Sequence, residues 1–579
     1  MTAPDTVPSD GAHPRGLLIL AGVEFWERFS YYGLLANLVF FLVWHLDLDR
    51  ETAFRQMAAF TALVFLCPLV GGLLADRWFG PRRLVAAGLV MLLSGHGLMA
   101  FMPLQTAESL VTSDGARLSV TRPVLYPSTG ETGARSVALP DGPATLLSVR
   151  PANDGSDDSV LSLRRADTSE TSLRGRIERR EDRPGRLLFH LALALVAAGI
   201  GFMKANISAL VGALYGASVA RRDQGFTLFY MAINAGAVAG SAVCGWLAFR
   251  FGWELGFGAA GGGILVALVL LRAGRHLLLP AAPAKIARPA TAAAAAGAAL
   301  TLACWGLLGA PRLVEGLLDL AALAGIGFVL AQSRKLDKRQ RLDLLVLAVL
   351  MASSVLFWTL QGQSPGSLNL FTAEWVDLHF LGLDIPAPVM QFLPMAFIVA
   401  FAAPVGALWR FLEKRRLSPS PPALSALGIL QMGISFLLLV LGIALMPEGG
   451  KVDLIWLALP FLLQGTGELF LSPIGLSTIT RLSPPNLTAT MLGLWFLSTA
   501  YAQKLGAFLG QATVAIAGAT PVERLGQYFH VYLRAGEITC AVGAALLLLA
   551  GGLALLGRRI RPLGSLARTD PVPDPQRSC

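Results

Sequence analysis

The sequence predicts an all-α polytopic membrane protein built on a plan of six spans, two spans and six spans. Three observations predict it. Of the 579 residues 54% are apolar and only 15% charged, the mean hydropathy is +0.60, and about fourteen apolar runs of membrane-crossing length recur from end to end, separated by short polar loops. A soluble chain of this size needs more polar side chains to cover its surface, so the bilayer is the natural solvent.

The runs fall at 16–43, 53–75, 84–102, 187–211, 226–249, 257–271, 290–308, 317–330, 342–360, 389–412, 423–445, 454–480, 488–514 and 531–556. The first is much longer than a signal-peptide core and carries charges, so it reads as a retained first helix. The net charge of +10 does not call for a nucleic acid. Arg77, Arg82 and Arg83, Arg334 and Lys335, Lys414 to Arg416, and Arg558 and Arg559 all gather in alternate loops, while the opposite loops 45–51 and 374–384 are acidic or nearly neutral. That asymmetry places the basic loops and both termini in the cytoplasm. Cys67, Cys244, Cys304 and Cys540 lie in apolar runs and Cys579 ends the chain, without metal-ligand spacing; neither a disulfide framework nor a metal is expected.

Two features break the rhythm. Residues 103–186 are polar with nearly balanced charge, and alternation at 116–126 and 144–150 between Gly, Pro and Asp predicts a small β-rich extracytoplasmic insert. The Ser/Asp-rich stretch 153–158 and the Arg/Glu run 174–186 are poor core material and favour a disordered loop instead. The Ala-rich pair 290–308 and 317–330, joined by a turn containing Pro311, sits between the two sets of six spans as an inserted helical hairpin. The chain thus divides into 1–102 (three spans), 103–186 (insert), 187–272 (the rest of the first six-helix bundle), 273–340 (hairpin and linkers), 341–557 (second six-helix bundle) and 558–579 (cytoplasmic tail).

The first span contains Glu24, Glu27, Arg28, Tyr31 and Tyr32, which helical spacing puts on one polar stripe. Each charge at a membrane centre costs roughly 2.5–3.5 kcal/mol on insertion scales, so this cluster must face the interior and be paired. It either serves function or locks helices together. In the fourth span Gly199 and Gly201 permit close helix packing beside Lys204, whose long apolar lead-in favours burial over snorkelling to the interface. The span at 454–480 places Glu468 one turn before Ser472-Pro473-Ile474-Gly475, where proline predicts a discontinuous helix beside a polar cavity. Lys204 and Glu468 would then set opposite charges on two cavity walls, which suits a zwitterion. Burial favours a neutral carboxyl and a neighbouring cation favours a carboxylate, so moving the partner between states loads or releases a proton; Glu24 and Glu27 beside Arg28 fit this requirement. His96 reads as a packed histidine, and His190 has no evident catalytic partner; no nucleophile–base pair, metal cluster or phosphate loop points to an enzyme.

At these residues the sequence resembles the proton-dependent oligopeptide transporter (peptide transporter) family of the major facilitator superfamily. Glu24 through Tyr32 reproduce the pattern Glu-x-x-Glu-Arg-Phe-x-Tyr-Tyr, and Gly199 through Ser208 the pattern Gly-x-Gly-x-x-Lys-x-Asn-x-Ser. Further motifs stand at Phe229 to Gly236, Gly467 to Ser477 and Gly493 to Leu497, with the superfamily loop motif at Gly72 to Arg83. The resemblance implies a major facilitator fold in the plasma membrane and proton-driven import of di- and tripeptides by alternating access, without a cofactor. It implies that Tyr31, Tyr32, Lys204, Asn234, Trp358, Glu468 and Trp495 line the substrate cavity, with Glu468 at the peptide amino group and Lys204 at the carboxylate. Glu24, Glu27, Arg28 and Lys204 would couple protons, and Asp76 and Arg77 would latch the cytoplasmic gate; for Trp358 and Trp495 ordinary helix packing is the competing reading.

The chain also departs from that family. Leu35 stands where many peptide-transporting members carry a basic residue, Gly362 where the seventh helix often has a glutamate, and Phe65 where a tyrosine is common; the segment Gln391 to Met395 lacks the usual asparagine. These changes make the cavity more apolar. They keep open a second reading, the same fold carrying an organic anion or nitrate. A third is a non-transporting receptor that binds a ligand or partner through the insert, against which the retained charges argue. The Arg- and Ala-rich, Lys-poor composition points to a bacterial inner membrane.

Overall fold

The computed structural model describes residues 13–101, 107–112, 115–121, 135–139, 142–151, 159–165, 169–180, 183–215, 219–278, 288–415, 417, 419–484, 487–516 and 519–560. Among them helices dominate. The chain runs through α1 (Arg15–Phe40), α2 (Arg50–Leu74) and α3 (Pro81–Phe101), then six strands, then α4 (Arg183–Ala213), α5 (Val219–Phe251) and α6 (Trp253–Ala273). Next come α7 (Ala290–Leu308) and α8 (Pro311–Ser333), followed by α9 (Lys338–Gln361), the short α10 (Ser367–Trp375), α11 (Phe392–Lys414), α12 (Pro421–Ala444), α13 (Ile455–Leu482), α14 (Thr488–Ala512) and α15 (Pro521–Ile560). Eleven helices among the described residues are long and apolar enough to cross a membrane. The 26-residue α1 has the length but carries Glu24, Glu27 and Arg28.

Local chemistry fixes several ends. Asp49 caps α2 by accepting from the Thr52 N–H at 2.8 Å. Asp337 and Gln340 form a reciprocal capping box on α9. Pro311 is the first residue of α8 and not part of the preceding turn, because its missing N–H costs nothing there. α2 ends in one π-helical turn, Ala75–Phe79, stopped by Gly80 at φ 75°. α4 opens at Arg183, inside the stretch assigned to the insert, since Pro184 is tolerated in a first turn. The expected interruption at Pro473 is not realised: α13 runs unbroken from Ile455 to Leu482, a proline being tolerated within a membrane-spanning helix.

Between α3 and α4 the strands β1 (Ala107–Thr112), β2 (Arg117–Thr121), β3 (Arg135–Leu139), β4 (Gly142–Pro151), β5 (Ser159–Arg165) and β6 (Glu170–Arg180) pair antiparallel in sequence order and close, β1 on β6, into a barrel. Leu110, Val137, Ala144, Leu161 and Leu163 fill it. The stretch 144–150 lies within β4; 116–126 reaches β2 as far as Thr121, and 122–126 and 153–158 lie outside the described residues. The Arg/Glu run is strand up to Arg180, because its inward position is Gly175, whose added Cβ would stand 2.4 Å from the Val111 carbonyl. A two-stranded hairpin, β7 (His379–Phe380) and β8 (Leu383–Asp384), precedes α11.

Small residues bring the helices together. A Cβ on Gly71 of α2 would lie 2.0 Å from the Gly201 carbonyl of α4, and one on Gly88 of α3 2.6 Å from that of Gly199. On α5, Gly236 and Gly240 stand one turn apart against the Phe25 and Phe29 carbonyls of α1, at 2.2 and 2.1 Å from an added Cβ. Helices α1 to α8 share one large apolar cluster; α9, α12, α13 and α15 contribute to a second. The hairpin touches both the helices before it, α1 to α6, and those after it, α9 to α15, two groups in chain order. Gly297 of α7 lies on Met91, and Cys304 meets Cys67 of α2 with 3.6 Å between sulfurs, while Gly325 of α8 lies on Leu494 of α14.

Candidate functional site

The close seat of α1 on α5 settles which way its stripe points. Phe29 and Trp26 pack toward Gly263 of α6, leaving Glu24, Glu27 and Arg28 buried at 1%, 1% and 3% exposure. Arg28 donates from Nε and Nη2 to the two oxygens of Glu27, both at 2.5 Å, a bidentate pairing that satisfies that carboxylate. Glu24 lies farther off, Oε1 3.8 Å from Arg28 Nε, and its Oε2 meets no hydrogen-bond donor among the described residues. The Arg28 guanidinium also sits 4.9 Å above the Tyr31 ring, which meets Tyr32 edge-on. Lys204 completes the group, within electrostatic reach of Glu24, Glu27 and Arg28. The glycine contacts of α4 with α2 and α3 hold it there, together with Asn206, which donates to the Gly71 carbonyl at 3.3 Å.

Tyr32 links this group to the second one. It lies within electrostatic reach of both Arg28 and Glu468 of α13. Glu468 also faces Tyr230 of α5, whose carbonyl accepts from Asn234 Nδ2 at 3.0 Å. Tyr32 and Tyr230 pack on Ala237, Met395, Ile398 and Leu469, where α1, α5, α11 and α13 converge. Glu468 is brought in by its glycine neighbours, because an added Cβ on Gly465 would stand 2.5 Å from the Pro394 carbonyl of α11. Tyr230 is a residue sequence reasoning passed over, although it lies one turn before Asn234 in the same motif.

At the end where α2 begins, the two helix groups are tied across the site. Arg50 pairs with Glu374 of α10 and donates to the Tyr528 hydroxyl of α15 at 3.0 Å. Asn369 of α10 donates to the Ala36 carbonyl of α1 at 3.0 Å. Gln363 donates to the Gly506 carbonyl at 2.8 Å and accepts from Ser367 at 2.7 Å. None of these contacts was singled out from the sequence, since a basic residue opening a helix and an acid closing one look like ordinary end charges.

Comparison with known proteins follows the same lines. Residues 160–528 match the family described as "PTR2: POT family". The chain belongs to the POT family. It is similar to the peptide transporter YePEPT of Yersinia enterocolitica subsp. palearctica, 28% identical with 86% of this chain and 88% of the relative covered. It is similar to dipeptide and tripeptide permease A of Erwinia pyrifoliae, 27% identical with 93% and 94% covered. A solved structure of a peptide transporter POT mutant in complex with alafosfalin superposes with a TM-score of 0.70 at 28% identity, covering 94% of this chain and 96% of that one. A multi-pass helical membrane protein of this family, and not an enzyme, is what the chain is.

In this POT chain the remaining candidate residues stand apart from the charged cluster. Trp358 is half-buried on α9, edge-on to Phe357. Trp495 is buried with Leu347, Ile479 and Met491, its ring over Gly475 so closely that an added Cβ would lie 2.3 Å away. Asp76 and Arg77 are exposed in the π-helical turn at the opposite end from Arg50, with Arg77 5.8 Å from the Trp78 ring. Beside them Arg82 and Arg83 donate to the carbonyls of Arg275 and Arg288 at 2.6 and 3.1 Å. Leu35 is buried in the large apolar cluster. Gln391, in the segment that departs from the family pattern, makes a reciprocal pair with Ser364: it accepts from Oγ at 2.8 Å and donates to the carbonyl at 2.7 Å.

Proposed function

We propose that this chain is a proton-coupled symporter that imports di- and tripeptides by alternating access. The observation that carries the reading is that Tyr32 lies within electrostatic reach of both charged groups, the one of Glu24, Glu27, Arg28 and Lys204 and the other of Glu468. A peptide is a zwitterion with ends complementary to the two groups. Glu468 meets its amino group and Lys204 its carboxylate, with Tyr31, Tyr32, Asn234, Trp358 and Trp495 lining the space, and Tyr230 joins them. The names of the relatives, peptide transporter and dipeptide and tripeptide permease, support the substrate class.

Glu27 is fully occupied by Arg28, whereas Glu24 keeps an oxygen without a donor among the described residues. Glu24 is therefore the seat for the proton. When it is protonated, Lys204 is free for the peptide carboxylate; when the peptide leaves, Lys204 returns to Glu24 and expels the proton. The proton gradient is the driver, and no cofactor takes part. In this reading the chain lies in a bacterial inner membrane with both termini in the cytoplasm, two six-helix bundles flank the α7–α8 hairpin, and the β-barrel stands outside, free for a partner. Arg50 and Glu374 then close the outer face, and Asp76 and Arg77 latch the inner one.

Leu35 and Gly362, where many family members carry charge, favour a second reading in which another small anion is the cargo. A pH-sensitive dye sealed inside proteoliposomes separates the two. Added dialanine acidifies the lumen and nitrate does not, and Glu24→Gln abolishes the acidification. Acidification by nitrate but not by any peptide reverses the assignment.

A further inference from the structure

The α7–α8 hairpin carries a pair of acids that the transport reading leaves unused. Glu315 and Asp319 lie one turn apart near the start of α8. Glu315 accepts from Arg55 Nε of α2 at 3.1 Å. Asp319 accepts from Lys504 Nζ of α14 at 2.5 Å and from the Tyr501 hydroxyl at 3.3 Å, and Lys504 also donates to the Glu315 carbonyl at 3.4 Å. One short segment of α8 thus grips one helix from each group, and the grip lies at the same end as the Arg50–Glu374 pair. α2 and α14 touch directly there, with Phe54 against Gly510. Lower down the hairpin is divided, α7 seated on α2, α3 and α4, and α8 on α14.

We propose that Glu315 and Asp319 are positioning residues that make the hairpin an outer clasp, holding the α2 and α14 ends together until the outer face opens. The proposal rests on the alternating-access reading and not on the identity of the cargo. When the two groups part on that side, α8 cannot keep both Arg55 and Lys504, so one ion pair breaks in each cycle. A helix that merely filled lipid-facing space would need neither acid.

The test is a distance measurement on the full chain in proteoliposomes, with the native cysteines replaced and spin labels at Leu48→Cys and Ala512→Cys. Asp319→Asn and Glu315→Gln each raise the long-distance, outward-open population, and the double variant raises it about tenfold. The swap Asp319→Lys with Lys504→Asp returns it toward the original value, which a loss of fold would not do. Distance distributions unchanged in folded Asp319→Asn and in the double variant overturn the proposal, as does a swap no closer to the original than Asp319→Asn alone. If the distances shift while dialanine is not carried, the clasp stands and the peptide assignment fails.

Discussion

The ionised groups of α1 and those at the end where α2 begins differ in one respect that assigns them different work. Arg28, Glu27 and Glu24 belong to a single helix, so their mutual geometry survives any rigid movement of that helix. Only what approaches from α4, or a proton, can change their balance. Arg50 with Glu374, and Lys504 with Asp319, join different helices. Those pairs exist in one arrangement of the helices and not in another. Charge fixed within one helix suits coupling; charge shared between helices suits a gate.

The sharpest way to break this comparison is Arg28→Ala. It leaves two buried carboxylates without their cation, and removal of one member of a buried pair costs about 3–5 kcal/mol. We expect a large drop in the thermal midpoint of the purified protein, and an unchanged midpoint would show that the α1 cluster is not a buried pairing. Arg50→Ala comes next. Glu374 is 16% exposed in side chain, and an unsatisfied partner of this kind costs about 1–3 kcal/mol. The loss should appear as a shift toward an outward-open form, read by faster labelling of a cysteine placed in the cavity from the outer side, with little change in the melting midpoint. Equal destabilisation by both variants would erase the distinction. Glu51→Gln should do least, because Glu51 is 54% exposed beside Arg55 and exposed pairs contribute about 0.2–1 kcal/mol.

Much of this was legible in the sequence, and the reason is the solvent. A bilayer forces backbone polar groups into helices and apolar side chains outward, so hydropathy alone marks the spans. It also makes an intramembrane charge conspicuous, which is why Glu24, Glu27, Arg28, Lys204 and Glu468 stood out. Arg50, Glu374, Glu315 and Asp319 did not, because a charge within a turn or two of a helix end is ordinary, and its partner lies hundreds of residues away. Around Trp495 packing adds what the motif does not show: the ring lies over Gly475 in an apolar cluster, a contact no single-sequence pattern reports.

The most direct test is uptake of labelled dialanine into proteoliposomes carrying the purified protein, with and without an inward proton gradient, for the natural chain and for Glu468→Gln. The account predicts gradient-dependent accumulation by the natural chain and none by Glu468→Gln. Accumulation that ignores the gradient, or that persists at full rate in Glu468→Gln, would contradict it.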